Sequence, residues 1–577
     1  MRQHIVAFAV VLSAGQWALA QTPPPPANPV ERLAPQSRPQ LRPAIQGGPI
    51  IEQRGSGQRA SIRVARVVFT GNTALSEAVL SKRVGELVGT VVPPAQAEEA
   101  RLAVLLAYRE AGYPFVAVSV GATPLPDGQS VLNIAVTEGF VAEVRIEGDR
   151  EAIGPAGAQV LRFLQRLVGQ RPVSVAALER ALLLSSDVPG MRIGGTMRPL
   201  QTEQGAFQLV VQVERKPVSG YLNLDTRGYE RVGPLQGLLV GSLNSMTSFG
   251  ERTEVAVFGA RDDSQYFGQV TSEFFVGDSG LRLRGYAGAG QTRPLGDLRD
   301  IGYTGDTQVA GIGASYPLVR SRPFNFDLNG ALDIFDTEVR NRASGVSLRA
   351  SMDKVRAMRV GAGFQLLENH LSFFPAASTF GNLRLHQGLD ILGATSTGDL
   401  QSGRQGAEDF SFLKVTGELQ RSQPIWSPAD GQMINLQGLF AGQWSNDILP
   451  QSEKFFLGGS RLNRGFYSGQ VTGDRAVSFA LELQYDIQSE MPFAVPFGSG
   501  RLGTQFYVFR DIGRSFENLE TDADRRLSSW GGGVRLTVSD NLQLDLEAAN
   551  RITTRPDGAA ANPLDDKVVI SRVLVRY

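Results

Sequence analysis

From about residue 218 to residue 577, short segments of the chain alternate apolar residues with polar or small ones. The segment Leu542-Gln543-Leu544-Asp545-Leu546-Glu547 is representative, and clusters of Gly, Pro, Asn, Asp and Ser separate one segment from the next. Because successive side chains of a β-strand point to opposite faces, this period of two predicts many strands, each with one apolar and one polar face. A soluble β-sandwich and a membrane β-barrel both fit this pattern.

Both ends of the chain favour the membrane barrel. Residues 1–20 have a short polar start, an apolar stretch at 5–14 and the small-residue pattern Ala18-Leu19-Ala20, which together predict a secretory signal peptide. The last alternating segment ends on Tyr577, an aromatic terminal residue typical of outer-membrane barrels, so we expect it to act as an insertion signal. Residues 217–577, at roughly 22 residues per strand and loop, predict about 16 antiparallel strands, an even number as in bacterial barrels.

The composition excludes several other classes of function. The chain has no cysteine, so disulfides and thiolate metal sites are excluded, and its three histidines have no evident companion ligands. The 57 basic and 57 acidic residues balance, which gives no electrostatic basis for binding nucleic acid. No phosphate-binding loop and no catalytic combination of residues is present. We therefore expect no metal, no cofactor, no nucleic-acid partner and no enzymatic activity.

Residues 21–60 carry four consecutive prolines at 23–26 and contain few core-forming residues, which predicts a linker. This segment of 21–60 is also a candidate for carrying a short plug helix. Residues 43–54 are one candidate position for a short helix, although Gly47-Gly48-Pro49 argues against a continuous helix there.

Residues 61–139 and 140–216 repeat one pattern of about 75 residues, in the order strand, helix, helix, strand, strand. In the first copy the strands are expected at 64–69, 115–120 and 131–136, and in the second at 142–146, 191–197 and 207–214. Each copy predicts a small sheet covered by two helices, an α+β domain.

Several motifs resemble those of the two-partner secretion transporters, the haemolysin secretion/activation family within the POTRA-plus-barrel superfamily of outer-membrane proteins. Val67-Val68-Phe69-Thr70-Gly71-Asn72, Ala111-Gly112-Tyr113 and Val136-Thr137-Glu138-Gly139 resemble a first POTRA domain. The segment from Leu182 to Gly190, ending Asp187-Val188-Pro189-Gly190, is similar to the second POTRA domain of this family. We expect Asp187 and its neighbours to form turns and caps.

Two motifs in the barrel region carry the resemblance further. Leu462-Asn463-Arg464-Gly465-Phe466 resembles the superfamily's Val-Arg-Gly-aromatic loop, with Asn463 in the usual aliphatic position, and Phe509-Arg510-Asp511-Ile512-Gly513 resembles its Phe-x-Asp-x-Gly strand. The resemblance implies that the loop folds into the barrel and that Arg464 pairs with Asp511 on the inner wall. A planar guanidinium suits a carboxylate in such a setting.

The resemblance implies export of a large, β-helical partner protein across the bacterial outer membrane, with the POTRA domains in the periplasm. We expect these domains to bind the partner by adding a strand to an exposed sheet edge. The candidate edge residues are Phe115, Val116, Val118, Phe207, Leu209 and Val211. Further expected partners are membrane lipid and the barrel-assembly machinery that inserts the protein. The alternative is an insertase of the same superfamily, which assembles other membrane proteins; a passive porin would leave two POTRA domains without a role.

Overall fold

The computed structural model describes residues 29–35, 60–148, 153–343, 346–368, 374–490, 500–539, 541–554 and 564–577. The predicted signal peptide and most of the predicted linker, including residues 43–54, lie outside these ranges. Within them, a short helix, α1 (Pro29–Leu33), is followed by two α/β units and a large closed sheet. No helix among these residues combines the length and apolar character needed to cross a bilayer.

The first unit packs two helices on a mixed sheet. Its elements are β1 (Ile62–Thr70), α2 (Glu77–Val84), β2 (Val91–Val92), α3 (Pro94–Glu110), β3 (Val116–Pro124) and β4 (Ser130–Glu138). The described strands lie in the order β2-β1-β4-β3, with β1 parallel to β4, so β3 is an edge strand. The core includes Val64, Leu80, Val104 and Ile134, all fully buried.

Glu138, at the end of β4, ties the first unit together. Its carboxylate accepts hydrogen bonds from the backbone amides of Thr73 (2.7 Å) and Ala74 (2.9 Å) and from the hydroxyl of Tyr108 (2.7 Å). Burial raises the pKa of this carboxyl, but the hydrogen bonds outweigh burial and hold the pKa below its usual value. Glu138 therefore joins the turn after β1 to α3 as a charged group.

The second unit repeats this arrangement. Its elements are β5 (Phe140–Glu147), α4 (Gly157–Gln165), α5 (Val175–Ser186), β6 (Met191–Pro199) and β7 (Ala206–Arg215). The described strands lie in the order β5-β7-β6. The prediction of Phe207, Leu209 and Val211 as edge residues is therefore wrong. They lie on the central strand β7, whose backbone pairs with β5 on one side and β6 on the other, so no further strand can be added there.

The described residues from 218 onward form a closed barrel of 16 antiparallel strands, which confirms the predicted fold class. The strands are β8 (Val218–Asp225), β9 (Gln236–Asn244), β10 (Arg252–Ala260), β11 (Gln265–Val276), β12 (Leu281–Thr292), β13 (Thr304–Arg320), β14 (Phe324–Ala343), β15 (Val346–Glu368), β16 (Ala377–Gly388), β17 (Leu413–Trp426), β18 (Gln432–Ser445), β21 (Arg475–Glu490), β22 (Arg501–Phe516), β23 (Arg525–Val538), β24 (Leu542–Thr554) and β25 (Lys567–Arg576). Pairing of β25 with β8 closes the barrel, and Tyr577 exchanges backbone hydrogen bonds with Gly220 at this seam.

Shorter elements lie in the loops between barrel strands. They are the helix α6 (Asp297–Asp300), the strands β19 (Phe455–Leu457) and β20 (Val471–Gly473), and 3-10 turns at Glu230–Val232, Arg261–Asp263 and Gln451–Glu453.

The alternation of the strands sorts side chains between the two surfaces of the barrel. On β8, Asn223 and Asp225 are buried toward the lumen, whereas Leu222 and Leu224 are exposed on the outside. On β24, Glu547 is buried inside while Leu546 is 53% exposed outside. An apolar exterior around a polar interior is the inverse of a soluble core and is the arrangement that a lipid bilayer stabilises.

The second α/β unit is joined to the barrel by polar contacts at its base. Arg320, at the end of β13, donates two hydrogen bonds to the carboxylate of Asp187 (2.8 and 2.7 Å). The hydroxyl of Ser245 donates to the carbonyl of Pro189 (2.5 Å), and the rings of Phe163 and Phe275 pack edge to face at 5.3 Å. The segment expected only to form turns and caps is thus also a contact between the unit and the barrel.

Helix α1 lies inside the barrel. Leu33 packs with Leu238, Val240 and Phe267, which face the lumen, and its carbonyl accepts a hydrogen bond from the side chain of Asn223 (2.8 Å). This helix lies within residues 21–60, the segment in which a plug helix was predicted, although before residues 43–54, and it occupies the lumen beside β8 to β11.

Candidate functional site

The loop between β18 and β21, residues 446–474, folds into the barrel and is called the sixth loop below. The pairing of β19 with β20 brings its two arms together and presents the segment between them to the inner wall. Phe466 is fully buried against Leu457, Val471 and Leu527. The apolar ring at the tip anchors the loop against the wall, as the resemblance implied for an inward-folded loop.

Arg464 is fixed to the inner wall by a set of charged contacts. Its guanidinium donates to both carboxylate oxygens of Asp511 (3.0 and 2.8 Å), and its backbone amide donates to the same carboxylate (2.8 Å). The guanidinium also pairs with Glu482 and lies 4.1 Å from the centroid of the Phe509 ring. Each charge is buried, and such a buried arginine is stabilised only with its partners in place.

The charged cluster extends beyond the predicted pair. Arg535 on β23 donates to Glu482 (2.6 and 3.1 Å) and stacks 3.8 Å from the centroid of the Tyr507 ring. The hydroxyl of Tyr507 donates to Glu547 (2.9 Å), which pairs with Arg227 (3.2 Å). Glu482 and Arg535 were missed in the sequence, although both occupy lumen-facing positions of alternating strands.

Backbone geometry explains the small residues of the two motifs. Gly465 has a φ of +87°, and a Cβ atom there would come within 2.9 Å of the Cβ of Ala549. Its carbonyl accepts a hydrogen bond from Arg551 (2.8 Å). A Cβ atom on Gly513 would lie 2.3 Å from the side-chain oxygen of Asn463. Both glycines are therefore required for the close approach of the loop to the wall.

Asn463, the departure from the family pattern, has a structural reason. Its φ is +54°, a conformation that asparagine tolerates and that a β-branched residue does not. The side chain is fully buried, and its oxygen accepts a hydrogen bond from Ser478 (3.0 Å). Asparagine thus supports the turn before Arg464.

A run of three glycines in β23 makes room for the aromatic rings of this cluster. A Cβ atom on Gly531 would lie 2.2 Å from the carbonyl oxygen of Ala548 and 3.0 Å from the Phe509 ring, and one on Gly533 would lie 2.6 Å from the Tyr507 hydroxyl. The rings that face Arg464 and Arg535 therefore depend on the absence of side chains on the neighbouring strand.

A second polar cluster holds the loops together at the extracellular mouth. Asp474, fully buried, accepts hydrogen bonds from Arg404 (3.2 Å) and from the backbone amides of Leu449 (3.0 Å) and Asn518 (2.9 Å). It therefore connects four chain segments. In the sequence, Asp474 stands in Gly473-Asp474-Arg475, a pattern typical of a turn, and no local signal identifies Arg404 as its partner.

A closed lipid-facing barrel with a polar lumen, an inward-folded arginine loop and two α/β units at one end defines an outer-membrane transporter of the POTRA-plus-barrel class. The chain belongs to the haemolysin secretion/activation protein family ShlB/FhaC/HecB, whose sequence model matches residues 207–536. The POTRA model, described as a surface antigen variable number repeat, matches residues 62–139. The predicted family, its transport function and its location in the outer membrane with periplasmic POTRA domains are confirmed.

Individual relatives agree with this assignment. Hemolysin transporter protein HpmB of Proteus mirabilis is 24% identical over 438 residues, which cover 74% of this chain and 71% of the relative. The structure of CdiB from Escherichia coli superposes with a TM-score of 0.70 at 20% identity and covers 99% of this chain and 97% of that one. For CdiB from Acinetobacter baumannii the TM-score is 0.63 at 16% identity, with 99% and 98% covered. At these identities the structures show a shared fold.

Proposed function

We propose that this transporter secretes one specific partner exoprotein, which its POTRA domains recognise in the periplasm and which crosses the outer membrane through the barrel lumen. The observation that carries the proposal is the polar lumen of a closed barrel, filled by two separate occupants, helix α1 and the sixth loop. Both occupants lie in the path of a passing polypeptide, so both move aside when the partner crosses the barrel.

Capture takes place by strand addition at β3. This strand pairs only with β4 among the described residues, so its outer backbone groups are available for a partner strand. Val116 and Val118 point into the core of the first unit, with 5% and 1% exposure, so they fix the strand rather than contact the partner. Phe115, just before β3, packs on Phe207 at 5.5 Å between ring centroids and orients the edge relative to the second unit.

The partner passes through the lumen in an unfolded state and folds outside the cell, which supplies the driving force. A β-helical partner suits this route, because each emerging repeat can stack on the one before it. The transporter itself reaches the membrane through the barrel-assembly machinery, which recognises its last strand, β25, and Tyr577. Its outward apolar face then contacts the membrane lipid.

A deletion strain tests this function. We expect removal of the protein to leave one exoprotein in the periplasm, while the abundance of other outer-membrane proteins, measured by quantitative proteomics, stays unchanged. Restoring the wild-type chain should restore secretion. A general loss of outer-membrane proteins would contradict the proposal and identify an insertase instead.

A further inference from the structure

Four cationic side chains lie on the outward face of the barrel near its extracellular end. They are Arg510, Arg514, Arg526 and Lys567 on β22, β23 and β25, and all four are exposed. The extracellular end is the one opposite the POTRA domains, and Arg514 and Arg526 lie close to the loop that joins β22 to β23. We call these residues the outward cationic cluster.

The strand register brings the members of this cluster together. Arg514 lies directly opposite Arg526 on the neighbouring strand. Arg510, Trp530, Asn550 and Lys567 form one row of directly opposed residues across four strands. Directly opposed like charges on a sheet repel each other, because their Cβ atoms are only about 5 Å apart.

No anionic group of the protein compensates this repulsion within the described residues. None of the four cations forms an ion pair there, and the outward positions of β21 to β25 include no aspartate or glutamate. The lumen side of the same strands shows the opposite behaviour: Arg535 of β23 and Arg464 of the sixth loop, which packs against these strands, both have carboxylate partners. A set of unpaired cations facing lipid is suited to anions supplied from outside the protein.

An apolar groove adjoins the cationic cluster on its membrane side. It has a volume of about 780 Å³, and its lining includes Leu483, Val508, Gly532, Ala548 and Val569, which form the next outward row along the strands. The small residues Gly532 and Ala548 form the floor, between the bulkier side chains on either side. Acyl chains fit such a groove.

We propose that this surface is a binding site for a phosphorylated, multiply acylated lipid of the outer leaflet. The phosphate groups lie between Arg514 and Arg526 and beside Arg510 and Lys567, and one acyl chain lies in the groove over Gly532 and Ala548. Trp530 lies at the boundary between the two, where an indole ring is favoured. Because β22 and β23 also carry Asp511 and Arg535, the bound lipid stabilises the wall that holds the sixth loop.

Binding of lipid A to the purified full-length protein in neutral detergent tests the site. We expect native mass spectrometry to detect retained lipid A on the wild type. R514Q/R526Q should bind lipid A about tenfold more weakly, because the charge-assisted contacts to phosphate are removed. The matched control is R293Q/R299Q, which removes two exposed arginines from the loop between β12 and β13 and should bind like the wild type. Heat-modifiable migration on gels verifies that each barrel is folded.

A second variant tests the groove without changing any charge. Ala548→Phe, at an exposed position, places a ring where the acyl chain lies and should also weaken lipid A binding. Wild-type affinity in both R514Q/R526Q and A548F would overturn the proposal. Retention of phosphatidylcholine equal to that of lipid A would also overturn it, because the cationic cluster would then give no preference for lipid A. Binding of inorganic phosphate as tight as that of lipid A would overturn it as well, because the groove would then contribute nothing.

Discussion

Two sets of contacts attach other parts of the molecule to the barrel, and they differ in their exposure to solvent. The contacts of the sixth loop with the inner wall are called the loop joint below, and those of the second POTRA domain with the base of the barrel are called the POTRA joint. The sixth loop is joined to the inner wall by Arg464, whose partners Asp511 and Glu482 are almost completely shielded from solvent. The second POTRA domain is joined to the base of the barrel by Arg320 and Asp187, each with 16% of its side chain exposed. Water and salt therefore reach the second joint more readily than the first.

This difference assigns distinct roles to the joints. Opening the loop joint exposes several buried charges at once, which makes partial detachment costly. The POTRA joint combines three partly exposed ion pairs, Arg320–Asp187, Arg322–Glu179 and Arg166–Asp278, with hydrogen bonds to backbone carbonyls and one aromatic contact, so it can loosen gradually. We infer that the POTRA domains adjust their orientation during capture, whereas the loop responds in a single step.

The largest effect is expected from breaking the loop joint. Arg464→Ala leaves Asp511 buried without a cation and removes one of the two arginines that pair with Glu482, which costs about 3–5 kcal/mol of attachment energy. Secretion should fall to background, and limited proteolysis should cut within residues 458–470. Arg464→Lys keeps the charge but loses the two-pronged contact and should retain partial secretion. Normal secretion and an intact loop in R464A would show that the joint has no role.

Reversal of the pair distinguishes the ion pair from simple loss of packing. R464D and D511R alone should each abolish secretion, because each places like charges together. The combination R464D/D511R restores opposite charges and should recover part of the activity, although Glu482 then lies beside the new carboxylate. Secretion that survives each single reversal would contradict the assigned contact.

A somewhat smaller effect is expected when the wall itself is altered. Gly531→Val adds a side chain where the Phe509 ring and the Ala548 carbonyl lie, so the ring under Arg464 must move. Secretion should decrease strongly and the temperature of barrel unfolding should drop. Gly438→Ala is the control, since a Cβ atom at Gly438 meets no atom within 4 Å. Equal behaviour of the two variants would show that the glycine run does not support the loop.

The POTRA joint should respond more weakly. Arg320→Ala removes the ion pair with Asp187 and should reduce secretion only several-fold, because partly exposed pairs contribute about 1 kcal/mol or less. The absence of cysteine allows one spin label in each domain, and the distance distribution between the labels should broaden in R320A. High salt should broaden the distance distribution of the wild type in the same way as R320A does. That result would support the solvent-exposed character of this joint.

The smallest effect is expected within the first POTRA domain. The pKa of Glu138 is lowered in the folded protein, so its contribution to stability is present above the pKa of the unfolded chain and is lost as the pH falls through the folded-state pKa. Hydrogen exchange at the Thr73 and Ala74 amides, corrected for intrinsic rates, should therefore increase at low pH in the wild type. Glu138→Gln should raise exchange at neutral pH and remove this dependence.

The sequence predicted the barrel because alternation reports which face each residue occupies. It predicted the meeting of Arg464 with Asp511 through a family motif. Alternation does not report which inward side chains of nearby strands meet, so the contact of Arg535 on β23 with Glu482 on β21 was not recognised. It also does not report the order of strands in a mixed sheet, so β7 was mistaken for an edge. Arg404 and Asp474 lie 70 positions apart, and only the folded loops bring them together.

Site-specific photo-crosslinking during secretion tests most directly whether the partner passes through the lumen. Gln269 and Val270 are adjacent on β11, but Gln269 is buried toward the lumen and Val270 is 50% exposed on the outside. A crosslinking residue at position 269 should capture the partner exoprotein, and the same residue at position 270 should not. Capture at position 270 alone, or at neither position while secretion proceeds, would contradict transport through this barrel.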